Sequence, residues 1–247
     1  QVDYLPLDSP VPTGAWRSVD YPSRVFARES FLDEVAHAAG RDPFDLRIEL
    51  LQPGDMLTLG RQRIDRGRMI RVLQATRERC GWKKSILGTR KDGRLWGRGL
   101  ALNIYDAGSY MAQIAEVSVA SDLSEIRVHR IYCVFDCGLP INPAGLEGQV
   151  ESGITWGLSA TLHGKIDFRQ GQAVQSNYSD FRVMQIQEMP VVETEIVSST
   201  LPPGGFGEHP VPPVAPAVAN AIFSATGKRV RKLPITPESL RELSYLR

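Results

Sequence analysis

Three consecutive segments, Gly97 to Ile104, Met111 to Ala120 and Glu125 to Val134, alternate apolar with polar residues or are rich in β-branched ones. A period of two sends successive side chains to opposite faces of an extended strand, so each segment has an apolar face that must be covered. Asp122-Leu123-Ser124 lies between the last two segments and supplies a turn, which makes all three neighbouring strands of one sheet. The rest of the chain has to fold around that sheet.

The cover comes from helical patterns on either side. Phe31, Leu32, Val35, Ala36 and Ala39 recur at helical spacing and stop at Gly40. A second helix starts at once, with Asp42 as cap, Pro43 in the first position and Asp45 at the third, and runs through Leu46, Ile48, Leu50 and Leu51 to Pro53. Residues 62 to 80 read as a third, with Ile64, Met69, Val72, Leu73 and Ala75. Downstream, Asn142-Pro143 opens a glycine-containing helix to about Leu162, whose Gly148, Gly153 and Gly157 require something packed closely on the backbone, either another element or a ligand. A strand over Val191 to Ser198, a small-residue helix over Val214 to Ala225 closed by Gly227, and a short helix begun by Thr236-Pro237 complete the chain. There is no βαβ series, so the expected class is α+β, a mixed sheet with packed helices. Three regions follow: an extended N-terminal arm over 1–27, a helical region over 28–81, and a mixed α/β region over 82–247.

At 247 residues and 42% hydrophobic, the chain can bury a full core. Its formal charge of +1 offers no global field for nucleic acid or an anionic membrane. The cluster Lys228, Arg229, Arg231 and Lys232 is too short to change that, and reads as a solvated face or helix-end electrostatics. No apolar run reaches transmembrane length and the first residues lack a signal-peptide pattern, so a soluble chain is expected, with cytoplasm and periplasm equally open. Three cysteines cannot build a disulfide framework. Cys133 and Cys137 flank a strand end, and four extended positions span about 13 Å, too far for a shared metal without a sharp turn. His37, His129 and His163 give no metal spacing either, so no protein ligand set is expected.

The chemistry is expected in Leu201-Pro202-Pro203-Gly204-Gly205-Phe206-Gly207-Glu208. Dense glycines allow close approach to a ligand, although neither a Walker nor a dinucleotide pattern is present. Glu208 is followed by His209, Pro210, Val211, Pro212 and Pro213, a stiff and poorly solvated stretch. A carboxylate held this way can be a general base, a structural acceptor for loop amides, or an exposed loop residue.

Several motifs occur in a fixed order: Gly14-Ala15-Trp16-Arg17-Ser18; Glu29 to Ala36 with Asp42-Pro43-Phe44-Asp45-Leu46-Arg47; Asn142-Pro143; Gly148-Gln149; Gly207-Glu208; and Ala215-Pro216-Ala217-Val218-Ala219-Asn220-Ala221-Ile222. The set resembles the C-terminal part of the molybdopterin-binding large subunit of the xanthine oxidase family, in particular isoquinoline 1-oxidoreductase and related aldehyde oxidoreductases. The resemblance implies that Glu208 is the general base beside molybdenum. It places Gly14, Ala15, Arg17, Gln149, Gly205, Phe206 and Gly207 at the molybdopterin cofactor, and Trp16 and His209 in the substrate pocket. Arg17 can alternatively tie the arm to the domain, Gln149 can satisfy buried backbone, and His209 can be a surface residue. Three departures mark a distinct branch: Ser18 where the family often has glycine, Pro203 before the last glycines where lysine is common, and His209 where proline commonly follows the glutamate.

The implied reaction is oxidation of an aldehyde or N-heterocyclic aromatic substrate with water as oxygen source. The other pterin-holding segments of the family and cysteines for iron–sulfur clusters are not found in the sequence. A partner chain carrying the rest of the molybdopterin-binding subunit and an iron–sulfur subunit are therefore expected, with residues 1–27 prominent in the interface. The rival expectation is a non-catalytic assembly or interaction subunit that keeps the family fold.

Overall fold

The computed structural model describes residues 11, 13–52, 56–59, 62–83, 89–106 and 108–244. Helices α1 (Tyr21–Ala38) and α2 (Pro43–Leu51) come first, followed by a small hairpin of β1 (Met56–Leu59) and β2 (Gln62–Asp65), then α3 (Arg66–Arg79). The main sheet is built from β3 (Thr89–Lys91), β4 (Arg94–Tyr105), β5 (Ser109–Ala120) and β6 (Ile126–Asp136). Helix α4 (Pro143–Leu162), the minimal hairpin β7 (Phe168–Arg169) and β8 (Gln172–Ala173), strand β9 (Val191–Ile196), α5 (Val214–Thr226) and α6 (Pro237–Glu242) complete it. The sheet order is β3-β4-β5-β6-β9, antiparallel except for the parallel pair β6 and β9.

Period two decides which core each strand residue enters. On one face Ala101, Met111, Ala115, Ile131, Cys133 and Phe135 pack with Ala217, Val218 and Ile222 of α5 and Ile154 and Leu158 of α4. On the other, Leu100, Leu102, Ala112, Ile114 and Tyr132 pack with Met69, Val72 and Leu73 of α3 and Phe44 of α2. Helices thus cover both faces. Helix α5 lies unusually close to β4, because Gly97 and Gly99 sit where a side chain would strike helix backbone. A methyl group at Gly99 would lie 2.2 Å from the Ala217 carbonyl oxygen, and one at Gly97 2.3 Å from that of Ala221. The requirement expected for the α4 glycines splits. Gly153 and Gly157 are taken up by packing, their absent methyls falling 2.6 Å from Pro210 Cβ and 2.7 Å from Val214 Cβ, whereas Gly148 faces open space.

The arm expected over residues 1–27 needs correction. Residues 1–10 and 12 lie outside the described residues, and helix α1 begins at Tyr21. The missed turns, residues 21–27, bury one residue, Val25, too little to show a helical period; further along, α1 is docked by a buried carboxylate. Glu29 is fully buried, accepts 3.0 Å from Arg47 Nε and 3.2 Å from the Leu102 amide, and pairs with Arg28. Asp33 of the same helix pairs with the buried Arg229 at 2.8 Å. Residues 62–65, expected as helix, are strand β2, and Asp65 caps α3 through the Arg68 amide. Cys133 and Cys137 are buried free thiols, and burial pushes Cys133 up to about 12. Among the described residues no helix is long and apolar enough to cross a membrane.

These contacts set opposite expectations for two glycines. Gly99→Ala should destabilise the chain by about 2 kcal/mol or more, because helix backbone has to move away. Gly148→Ala, at an open helical position, should stabilise it by about 0.5–1 kcal/mol. Urea unfolding of both variants checks the pair, and equal effects would contradict the close α5–β4 contact.

Candidate active site

The loop 197–213 leaves β9 and enters α5, and its main chain is anchored at several points. The Gly204 amide donates to the Cys137 carbonyl at 2.7 Å, Ser109 Oγ donates to the Gly205 carbonyl at 2.7 Å, and the buried Gln113 donates to that of Pro210 at 2.9 Å. Gly204 itself cannot carry a side chain, since a methyl there would meet the Gly108 carbonyl oxygen at 2.5 Å. The anchored loop sends its side chains in and out by turns. Phe206 points inward and stacks on Phe135 with centroids 4.0 Å apart, Gly207 is exposed, Glu208 is half-buried, and His209 is buried against Tyr105 and Phe206.

Glu208 is gripped from two elements. One carboxylate oxygen accepts from the Ser18 amide at 3.1 Å and the other from the Tyr105 hydroxyl at 2.6 Å. Its main-chain carbonyl accepts from Ser18 Oγ at 2.6 Å. The Tyr105 hydrogen bond first, then that from the Ser18 amide, hold the Glu208 carboxyl below the usual range against the opposing effect of burial. Glu208 is therefore an ionised carboxylate at neutral pH. Burial, and next the hydrogen bond to Glu208, push the Tyr105 phenol up, so it stays protonated and donates. Burial drives His209 down to about 4, which leaves a neutral ring.

Arg17 is committed to the protein. Its guanidinium donates to the Gly207 carbonyl at 2.9 Å, to Ser152 Oγ at 2.8 Å and to Gln149 Oε1 at 2.8 Å. It ties the segment before α1 to both α4 and the glutamate loop, which is the tethering alternative open in the sequence. The tie forces a tight turn, with the Val19 amide on the Trp16 carbonyl at 2.8 Å, and puts Ser18 at φ 77° and Val19 at φ 53°. A glycine would adopt the first of these freely. The serine occupies it with its hydroxyl bonded to Glu208.

Trp16 is exposed, lies 5.9 Å from Trp156 between ring centroids, and lines a cavity of about 700 Å³ with Trp156, Tyr178, Phe181 and Ile166. Gly14, Ala15, Gln149, Gly205 and Gly207 are exposed. Methyl groups at Gly14, Gly148 or Gly207 would meet nothing within 4 Å. Next to Glu208, Gly205 and Gly207 leave exposed main chain, and Arg17 brings the exposed Gln149 to the same loop. Phe206 and His209 are each 5% exposed, their rings packed behind Glu208, so the surface alternative for His209 is overturned and Phe206 has only its main chain to offer a cofactor. Among the described residues no group of three His, Cys, Asp or Glu side chains could hold a metal ion. Tyr105, Tyr21 and Ser152 went unread in the sequence, since nothing local to them signals a partner far along the chain.

The molybdopterin cofactor-binding domain family matches residues 90–190. A nicotinate dehydrogenase chain of Pseudomonas putida is 31% identical, over 94% of this chain and 20% of its own length. The beta chain of isoquinoline 1-oxidoreductase of Brevundimonas diminuta is 26% identical, over 86% of this chain and 25% of its own. The crystal structure of quinoline 2-oxidoreductase from Pseudomonas putida shares the fold, with a TM-score of 0.78 at 15% identity over 94% of this chain and 54% of that one. Fold and matches together define a molybdopterin-binding domain. The chain belongs to the xanthine oxidase family, and is related within it to the beta chain of isoquinoline 1-oxidoreductase and to aldehyde oxidoreductases. It spans a fifth to a quarter of the length of the two curated relatives named.

The Ser18 turn makes a stability test. Ser18→Gly removes both the left-handed strain and one hydrogen bond, each worth about 1 kcal/mol, and should leave stability near that of the parent chain. Ser18→Ala keeps the strain and loses the bond, and should cost about 1 kcal/mol. The order of the two in urea unfolding is the readout; alanine at least as stable as glycine would contradict the strained turn.

Proposed function

We propose that this chain supplies the general base, Glu208, and part of the cofactor-facing surface of a molybdenum hydroxylase. The observation that carries the reading is the half-exposed, ionised carboxylate of Glu208, held by two donors yet with acceptor capacity left over. A carboxylate has about four lone-pair sites, and the amide and the phenol use two of them. The others can take a proton. The matched family segment ends at residue 190, so this role rests on the geometry and on the ordered motifs that reach Glu208.

When bound, the molybdenum cofactor supplies the two-electron redox chemistry, with iron–sulfur clusters on a partner subunit carrying the electrons away. The main chain at Gly14, Ala15, Gly205 and Gly207 and the side chain of Gln149 would face it. Arg17 acts behind that surface by fixing the Gly207 carbonyl. Glu208 removes the proton from the water-derived oxygen nucleophile, and Trp16 borders the place of the organic substrate.

The substrate class is an N-heterocyclic aromatic or an aldehyde, since the matched relatives carry names of both kinds, and a flat ring fits the aromatic-walled cavity beside Trp16. The complete enzyme includes a chain carrying the remainder of the molybdopterin-binding subunit and an iron–sulfur subunit.

Glu208→Gln keeps size and hydrogen bonding but removes the proton acceptor. In assembled enzyme that retains molybdenum, anaerobic reduction by substrate should slow on the order of 10² to 10⁴-fold, while reoxidation of chemically reduced enzyme is unchanged. Because the carboxyl is depressed, the rate should hold as pH falls and drop only below the ordinary carboxylate range. A reduction rate within about threefold of the parent would make Glu208 a loop anchor and end this reading.

A further inference from the structure

Around Glu208 the groups that could set its behaviour are few. The loop before α1 contributes Arg17 and Ser18, the end of β4 contributes Tyr105 and Asp106, and the glutamate's own loop contributes His209. Arg17 spends its guanidinium on Gly207, Ser152 and Gln149. His209 is a neutral ring. Direct hydrogen bonds to the carboxylate come from the Ser18 amide and the Tyr105 hydroxyl.

Tyr105 is itself held. Its ring stacks on Tyr21 of α1 with centroids 4.1 Å apart and planes 23° from parallel, and meets His209 at 4.5 Å from the other loop. Tyr21 donates from its hydroxyl to Asp106 at 3.1 Å and accepts from the Asp106 amide at 3.3 Å, which ties helix α1 to the residue following Tyr105. The phenol is thus wedged between a helix start and the glutamate loop, with its oxygen delivered to one carboxylate atom.

We infer that Tyr105 is the positioning residue for Glu208, fixing its rotamer from one side so that the opposite lone pairs are kept for the transferred proton. The inference rests on the reading of Glu208 as base and adds a residue to it. Tyr105 cannot relay the proton onward as a phenolate, because burial and the neighbouring carboxylate both oppose its ionisation. It can only donate. A hydrogen bond to a charged carboxylate is stronger than one to the neutral acid, so the contact favours the form ready to accept and hastens loss of the proton once taken. Some intrinsic basicity is given up for position.

Tyr105→Phe keeps the ring and its stacking and removes only the hydroxyl. The first measurement is the ¹³C carboxyl titration of Glu208 in the 247-residue chain, the signal being assigned by its absence in Glu208→Gln. With Tyr105→Phe its midpoint should move upward, at unchanged thermal unfolding apart from the loss of one bond. A midpoint that stays in place in folded protein would overturn the inference. The second measurement is the pH dependence of anaerobic reduction by substrate in the assembled enzyme. Its acid limb should move up with the midpoint, while the plateau at higher pH falls by less than about tenfold, below the loss expected for removing a base. A lower plateau with an unmoved limb and an unmoved midpoint would mark Tyr105 as packing alone. An unmoved limb beside a shifted midpoint would leave Tyr105 as the residue that holds Glu208 and would remove Glu208 as the base.

Discussion

The approach of α5 to β4 is the contact on which the site depends. Gly97 and Gly99 on the strand meet Ala217, Ala221 and Ala225 on the helix, so backbone lies on backbone with no side chain between. A helix seated that closely has little freedom to slide or tilt, because any shift drives peptide atoms into one another. The start of α5 at Val214 is pinned again by Gly157 of α4, and Pro210 by Gly153. The few residues between those pins and β9 carry Glu208. Its placement is therefore inherited from helix packing, and the loop is rigid although it has no regular structure.

Buried charge does a second part of the work. Glu29 with Arg47 joins α1 to α2, Arg68 with Asp136 joins α3 to the end of β6 at 2.6 Å, and Asp33 with Arg229 joins α1 to the segment after α5. Removing one partner of such a pair costs about 3–5 kcal/mol, mostly from the charge left behind, so these contacts select one arrangement of the helices more than they deepen it. Asn220 extends the network by donating from its amide to the carbonyls of Glu29 and Leu100.

That same chemistry explains what could be read from the sequence. The three long strands, the Asp42 and Asn142 caps and the end of α5 at Gly227 depend on local period and local hydrogen bonds, and the structure has them. The first turns of α1 were hidden, since Val25 is the one residue buried between Tyr21 and Arg28 and a single apolar position shows no period. Hairpin β1–β2 was hidden because Gln62 to Asp65 is too short and polar to show a strand period. Glu208 stood out as a carboxylate in a stiff glycine and proline run. Tyr105 did not, and Ser18 stood out only as a departure from the family, since each sits over a hundred residues from Glu208 and becomes its partner only through the fold. Phe206 and His209 entered through the resemblance; that their rings turn inward was not legible, because irregular backbone gives no clue to which side chains do so.

The single parallel pairing in the sheet has a further consequence. Strand β4 runs antiparallel to β5 and β5 antiparallel to β6, while β6 and β9 run together, so β4, β6 and β9 all point the same way. Their carboxyl ends open on one rim, where Tyr105 ends β4, Asp136 ends β6 ahead of helix α4, and the stretch after β9 delivers Glu208. The opposite rim carries the turn between β5 and β6 at Asp122 to Ser124. The candidate site and the scaffold are thus separated along the strand axis. Loop lengths and side chains at the first rim are free to diverge between relatives and change what is bound there, while the strand interiors stay answerable only to the two cores.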